Sequence, residues 1–260
     1  MMYTKSKIKR RIENMHFVIS DIHGNYEKYC EMLDVIGLKD DDVLYVLGDV
    51  TDRGENGIMI LQDMMRRPNV IPILGNHDVI AWRCLKWLAH DITEETIKNI
   101  DNVILKMIDE WFKLGGDPTV REFMSLSKPE REDIIEYFEE FRLYEEVNVG
   151  GKTFLLVHGG FEYETFDAER SMEDYDLDEL VWARIKVNEK YFPDKYLIFG
   201  HTPTCLLWAQ DKGVLLDEIK EEEICHKIFK KEKLIGVDCG CGYDGYLGCL
   251  CLETMEEYYV

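Results

Sequence analysis

Five short apolar runs, each leading straight into a cluster of Asp, His, Asn and Gly, limit what this chain can fold into more than any other feature. The runs occupy residues 17–19, 43–47, 70–74, 154–157 and 196–199. Each is short and rich in β-branched or aromatic residues, as buried strands are. Helical patterns over 26–36 and 58–65 separate the first three. The resulting βαβαβ start predicts an α/β protein with a parallel sheet and helices on its faces.

Further along, Ile97, Ile100, Ile104, Met107, Ile108 and Trp111 recur at three and four residues. They predict a helix capped by Asp91 or Thr93 and ended by Gly115-Gly116. Ser127-Lys128-Pro129-Glu130 has capping-box spacing with proline in the first turn, which predicts a second helix to about Phe141. Residues 90–150 therefore read as a helical insertion within a single domain spanning 1–260. After Phe199 the pattern predicts shorter strands at 213–216, 234–237 and 247–252. The charged stretch 217–233, acids first and bases second, reads as a solvated hairpin or short helix.

With 260 residues, 46% of them apolar, the chain can bury a sizeable core without a disulfide or metal staple. Its 52 acids outnumber its 31 bases, for a net charge of −21. That sign opposes nucleic acid as a partner. No apolar run approaches the about 20 residues of a membrane span, so no membrane partner is expected. Lys5, Lys7, Lys9, Arg10 and Arg11 precede Phe17 without an apolar stretch, which argues against a secretory signal. Eight cysteines then read as reduced thiols in a cytoplasmic protein. The oligomeric state is left open.

The strand ends carry the chemistry. The first run leads into Ser20-Asp21-Ile22-His23-Gly24-Asn25 and the second into Gly48-Asp49-Val50-Thr51-Asp52-Arg53-Gly54. The third leads into Gly75-Asn76-His77-Asp78, the fourth into His158-Gly159-Gly160, and the fifth into Gly200-His201-Thr202-Pro203. Open α/β sheets place their sites outside the carboxyl ends of the strands, so the five clusters should converge in one crevice. Asp, His and Asn offer oxygen and nitrogen ligands without thiolate, a set suited to Mn, Fe or Zn. Asp21, His23, Asp49, Asn76, His158 and His201 are too many for one ion with open positions. They fit two ions bridged by Asp49, an arrangement that clamps a phosphoryl group and acidifies water.

Asp21-Ile22-His23-Gly24, Gly48-Asp49-Val50-Thr51-Asp52-Arg53-Gly54 and Gly75-Asn76-His77-Asp78, with His158-Gly159-Gly160 and Gly200-His201-Thr202, resemble the metallophosphoesterases. Within them, the set is most similar to the phosphoprotein phosphatase family in its bacterial and phage form. The resemblance runs over about 17–253 and takes in Gly115-Gly116 before Thr119, Trp182-Ala183-Arg184 and Asp238-Cys239-Gly240. It implies two mixed β-sheets packed as a sandwich flanked by helices. It also implies two divalent ions, manganese first with iron or zinc as alternatives, on the six ligands above. By the same resemblance His77 is the general acid, Asp52 orients it, and Arg53 and Arg184 hold phosphate oxygens. The implied activity is a serine/threonine protein phosphatase acting on phosphomonoesters by in-line attack of a metal-bridging hydroxide. The implied partner is a phosphorylated protein or peptide.

One position departs from that family. Asp78 stands where protein phosphatases usually carry Glu, and Asp is the form in the related symmetrical diadenosine tetraphosphate hydrolases. The Gly240-Cys241-Gly242 ending, followed by Gly245 and Leu247, also fits those enzymes. Asp78 has a plainer reading, as the cap of a helix beginning near Val79. The alternative function is therefore symmetrical diadenosine tetraphosphate (dinucleoside polyphosphate) hydrolysis, with a nucleotide as partner. It needs an aromatic beside the site to stack a base, and Tyr243 and Tyr246 are candidates. A catalytically silent phosphate-binding scaffold is disfavoured, because every candidate ligand and the acid are present. If their strands pair, Cys239 and Cys241 on one and Cys249 and Cys251 on the next would make a four-thiol cluster able to take zinc, but Cys-x-Cys is not the usual zinc spacing and buried small cysteines are the plainer reading.

Overall fold

The computed structural model describes residues 14–89 and 102–260. The basic residues of 5–11, the expected caps Asp91 and Thr93, and Ile97 and Ile100 lie outside the described residues. From the N-terminus come β1 (His16–Ile19), α1 (Tyr26–Ile36), β2 (Val43–Leu47), α2 (Gly57–Met65), β3 (Val70–Ile73) and α3 (Asn76–Leu88). Three helices follow, α4 (Asn102–Lys113), α5 (Asp117–Ser125) and α6 (Lys128–Glu139), then β4 (Tyr144–Val149) and β5 (Lys152–Val157). The remainder is α7 (Leu177–Trp182), β6 (Tyr196–Phe199), α8 (Thr204–Lys212), β7 (Phe229–Lys231), β8 (Leu234–Gly236), β9 (Gly248–Cys251) and β10 (Glu257–Tyr259). No helix among the described residues is long and apolar enough to cross a membrane.

The strands form two mixed sheets of five, ordered β10-β9-β1-β2-β3 and β4-β5-β6-β8-β7. In the first, β1, β2 and β3 run parallel while β9 and β10 return antiparallel. In the second, β5, β6 and β8 are parallel and β4 and β7 are antiparallel edges. Side-chain alternation builds three apolar layers. Val18, Tyr45, Leu47, Phe154, Leu156, Ile198 and Ile235 fill the space between the sheets. Ile19, Leu44 and Val46 face outward onto α1, α2 and α3. Leu155, Val157, Leu197 and Phe199 face outward from the second sheet onto α7 and α8. Helices thus cover only one face of the first sheet. Its other face meets the second sheet, which differs from the expectation of helices on both faces and matches the sandwich.

The helix predicted from 127–130 is α6, where the Glu130 carboxylate accepts the Ser127 backbone N–H at 2.8 Å. Among the described residues of the expected insertion, helices run from Asn102 only as far as Glu139; the last residues are the edge strand β4, paired to β5. The strand expected at 213–216 does not form. Gly213 ends α8 in a left-handed cap (φ +69°), and residues 216–218 make one 3₁₀ turn. The charged stretch contains a second such turn at 221–223 and the first strand of the β7–β8 hairpin.

The four-thiol cluster does not form either. A left-handed turn at Gly240 (φ +81°) breaks the segment, so Cys239 faces the layer between the sheets while Cys241 packs on the helical side. Cys249 and Cys251 join Cys241 in the core as small apolar residues.

Candidate active site

Strand register brings the polar clusters to one end of the sandwich. Ile19 pairs with Val46, Leu47 with Ile73, Val157 with Phe199, and Phe199 with Gly236. Asp21, Asp49 and His201 each follow their strand by two residues, Asn76 by three and His158 by one. Asp238, two residues beyond β8, is a sixth strand-end group. Its role was not read from the sequence, although the same strand-end rule points to it. Asp21, His23, Asp49, Asn76, His158 and Asp238 are all at most 4% exposed, and His201 is 9% exposed.

The backbone here is unusual. Asp21, His23, Asp49, Asp52, Arg53 and His201 all have positive φ, between 48° and 71°. Left-handed backbone costs a side-chain-bearing residue energy and gathers where structure is held for function. Close packing adds a second constraint, since a Cβ on Gly75 would lie 2.3 Å from Asp49 Oδ1.

The donor atoms are arranged for cations. His158 Nδ1 donates to the Leu47 carbonyl at 2.6 Å, and His23 Nδ1 to the Thr51 carbonyl at 3.1 Å. In the neutral ring each Nε2 is then a bare acceptor. His158 Nε2 nevertheless faces the Asn76 amide oxygen at 3.0 Å and Asp49 Oδ1 at 3.4 Å. His23 Nε2 faces Asp49 Oδ2 at 3.6 Å and Asp21 Oδ1 at 4.0 Å. His201 Nε2 is buried with no partner among the described residues. Converging acceptors without a proton between them suit bound positive charge.

Two buried triads, His23-Asp49-His77 and Asp49-His158-His201, hold ligand atoms within 4.8 Å of one another and share Asp49. Electrostatics agrees with this geometry. Burial pushes the His23 and His201 imidazoles down to about 3, and lifts the Asp21 carboxyl to about 6. Burial opposes ionisation of Asp49 as well, but the surrounding imidazoles outweigh it and hold that carboxyl below the usual range. Burial, with Asp21 beside it, lifts Asp238 well above the usual carboxyl range.

His77 is differently placed. Its Nδ1 bonds Asp52 Oδ2 at 2.8 Å, and its Nε2 receives Arg53 at 3.0 Å, so both ring nitrogens are committed. Burial lowers the imidazole's proton affinity, but Asp49 and the Asp52 carboxylate raise it by more, leaving it above the usual histidine value. Asp52 is itself clamped by Trp111 Nε1 at 2.9 Å and Thr119 Oγ1 at 2.8 Å, from α4 and α5. Sequence reasoning placed Trp111 only on an apolar stripe; nothing local marks it as a partner of Asp52.

The helix α3 starts at Asn76 with Gly75 as its N-cap, three residues before the expected start, so Asp78 is its third residue and not its cap. The Asp78 carboxylate reaches back to accept Gly75 N–H at 3.1 Å, and also accepts Asp49 N–H at 2.7 Å and Val50 N–H at 3.0 Å. It ties α3 to the loop that carries Asp49.

A cleft of about 690 Å³ opens over these residues. Asp21, Asp49, Asn76, His77, His201, Arg53 and Arg184 line it, so the predicted metal-ligand, acid and arginine positions meet on one surface. His158 does not line it, and His23 lines a neighbouring pocket that shares Arg53 and Tyr243. Arg184 donates to Thr202 Oγ1 at 3.0 Å, and the Arg53 guanidinium lies 4.3 Å over the Tyr243 ring. Tyr243 lines the cleft; Tyr246 does not, and packs on Tyr259 instead.

The chain is 22% identical to the asymmetrical bis(5'-nucleosyl)-tetraphosphatase PrpE of Halalkalibacterium halodurans, over 92% of this chain and 90% of that one. A symmetrical bis(5'-nucleosyl)-tetraphosphatase of Wigglesworthia glossinidia brevipalpis is 33% identical over 103 residues, 38% of this chain and 37% of the relative. Among solved structures, a protein assigned as a diadenosine tetraphosphatase superposes with TM-score 0.61 and 16% identity, over 96% of this chain and 94% of the other. The sequence profile for calcineurin-like phosphoesterases matches residues 17–217, so the chain belongs to the calcineurin-like phosphoesterase family.

Proposed function

We propose that this phosphoesterase hydrolyses dinucleoside tetraphosphates, cleaving asymmetrically as in the name of the relative that aligns along nearly the whole chain, not symmetrically as Asp78 and the Gly240-Cys241-Gly242 ending suggest. The observation that carries the reading is the alignment with an asymmetrical bis(5'-nucleosyl)-tetraphosphatase along nine tenths of both chains. The relatives' names thus favour the nucleotide substrate over the phosphoprotein expected from the motif set. A cleft of nucleotide size beside the site supports the same choice.

In this reading Asp21, His23, Asp49, Asn76, His158 and His201 would hold two divalent ions. Manganese is the first candidate, with iron or zinc as alternatives. When bound, the ions supply the positive charge that stabilises phosphoryl oxygens and acidifies the attacking water. Arg53 and Arg184 grip the phosphate chain, for which a planar cationic fork is well shaped. As the new P–O bond forms, the bond to the leaving phosphate breaks and His77 passes a proton to the departing oxygen. Asp52 holds the imidazole in position for that transfer. Arg53 covers His77 Nε2, so the guanidinium must turn to the substrate before that nitrogen carries its proton. Phosphate binding and acid arming are thereby linked.

The test compares kcat/KM for diadenosine tetraphosphate and for a phosphoserine peptide on one Mn²⁺-loaded preparation. The dinucleotide should win by at least tenfold and give ATP plus AMP. A winning peptide overturns the reading, and two ADP per turnover overturns its asymmetric part.

A further inference from the structure

The cleft has two chemically different ends. Charged and metal-ligand residues crowd one end, at the strand termini. Most of the remaining lining is apolar and includes Trp182, Leu206 and Leu216. Trp182, the last residue of α7, is 42% exposed although it is a large apolar side chain, and Leu206 on α8 is 40% exposed. The indole is held in place, edge-on to the His201 ring at 6.2 Å. It therefore sits next to where phosphate chemistry would occur and offers an aromatic surface to the cleft.

Two polar groups border this apolar surface. Gln210 accepts the Val187 N–H through Oε1 at 2.7 Å, which fixes its amide and leaves the NH₂ without a partner among the described residues. His226 also lines the cleft and makes no hydrogen bond among those residues. A fixed donor and a donor–acceptor ring beside an aromatic surface are what a flat heterocycle needs, with its face stacked and its edge read.

We propose that this apolar end is a nucleobase subsite, with Trp182 stacking a purine, Leu206 and Leu216 completing the apolar contact, and Gln210 and His226 reading the base edge. The proposal rests on the nucleotide reading given above. The occupant follows from continuity: one cleft joins a phosphate-type end to a heterocycle-type end, so the ligand carries both, as a purine nucleotide does.

The experiment uses the full Mn²⁺-loaded chain. KM for diadenosine tetraphosphate is measured for wild type, Trp182→Ala, Trp182→Phe and Leu206→Ala, alongside inhibition constants for AMP and inorganic phosphate. Losing a stacking partner should raise KM and the AMP inhibition constant by about five- to a hundredfold. The ratio of AMP to phosphate inhibition constants should rise equally, and Trp182→Phe should recover most of the loss. If Trp182→Ala fails to fold, the surface change Leu206→Ala still reads the same ratio. Gln210→Ala should narrow any preference for diadenosine over dicytidine tetraphosphate. Unchanged ratios in Trp182→Ala and Leu206→Ala, in an enzyme that cleaves the dinucleotide, overturn the subsite and leave the function intact. A wild-type enzyme that cleaves only phosphopeptide overturns both.

Discussion

At the residue scale, the buried imidazoles of His77 and His158 have opposite fates. His158 spends Nδ1 on a backbone carbonyl and turns a bare Nε2 toward Asn76 and Asp49. His77 spends Nδ1 on a carboxylate, which favours a second proton on the ring. The first pattern suits a ligand and the second a proton donor. His77→Asn should therefore lower kcat by about 10²–10⁴ on a phosphomonoester such as a phosphoserine peptide, the usual weight of a general acid. Metal content by elemental analysis should stay near wild type. The loss should be smaller on diadenosine tetraphosphate, because a phosphate leaving group needs less protonation. Equal rates for the variant and wild type on the monoester would remove His77 from the chemistry. Asp21, Asp49, Asn76, His158 and His201 are legible as candidate site residues because strand ends fix where they go. The left-handed backbone at six site positions is not legible. Asp and His tolerate it without demanding it, and only the packed loops impose it.

At the element scale, the strands β1, β2, β3, β5, β6, β8 and β9 and the helices α1, α2 and α6 are legible from periodicity and capping signals, since both are local. What escapes is support from elements far away in sequence. The helix α2 has Asn56 at its N-cap, but that side chain makes no capping bond. Glu122 on α5 does the work instead, accepting Ile58 N–H and Met59 N–H at 2.8 Å each. Trp111 reaches Asp52 from α4 in the same long-range manner. The segment after α3 thus braces both a helix start and the His77–Asp52 pair. The apolar residues near 214 mislead for the opposite reason: their local pattern suits a strand, but no sheet edge is there to pair it. Glu122→Ala should cost about 1–2 kcal/mol by loss of a cap, measured by urea unfolding at neutral pH. Burial holds the Glu122 carboxyl above its ordinary 4.5. Between that value and the raised one the folded state binds more proton than the unfolded state, so this group's contribution falls as pH rises through the window. Wild-type stability relative to Glu122→Gln should accordingly decline across it. A Glu122→Ala protein as stable as wild type would show that α2 starts unaided.

At the scale of the whole molecule, the candidate ligands come from both sheets. Asp21, His23, Asp49 and Asn76 follow strands of the first, and His158 and His201 follow strands of the second. Asp21, Asp49, Asp78 and Asp238 are carboxyls buried at that junction in a chain already carrying net charge −21. Gathering so many carboxyls without a cation strains the folded state, through desolvation and mutual repulsion. Divalent ions bound there would neutralise the acids and staple sheet to sheet, and they would bind the folded chain far better than the unfolded one. At a hundredfold excess over its dissociation constant, one such ion adds about 2.7 kcal/mol. For a chain of this size that is a rise in Tm of roughly 5–10 °C. Scanning calorimetry with Mn²⁺, then with excess EDTA, should show that rise and its reversal. Asp49→Asn weakens the one side chain shared by both triads and should abolish most of it, whereas a change at the remote surface ion pair of Lys86 with Glu139 should not. If Tm is the same with Mn²⁺ and with EDTA, the junction binds no stabilising ion, and the two-metal chemistry proposed for this end of the sandwich falls with it.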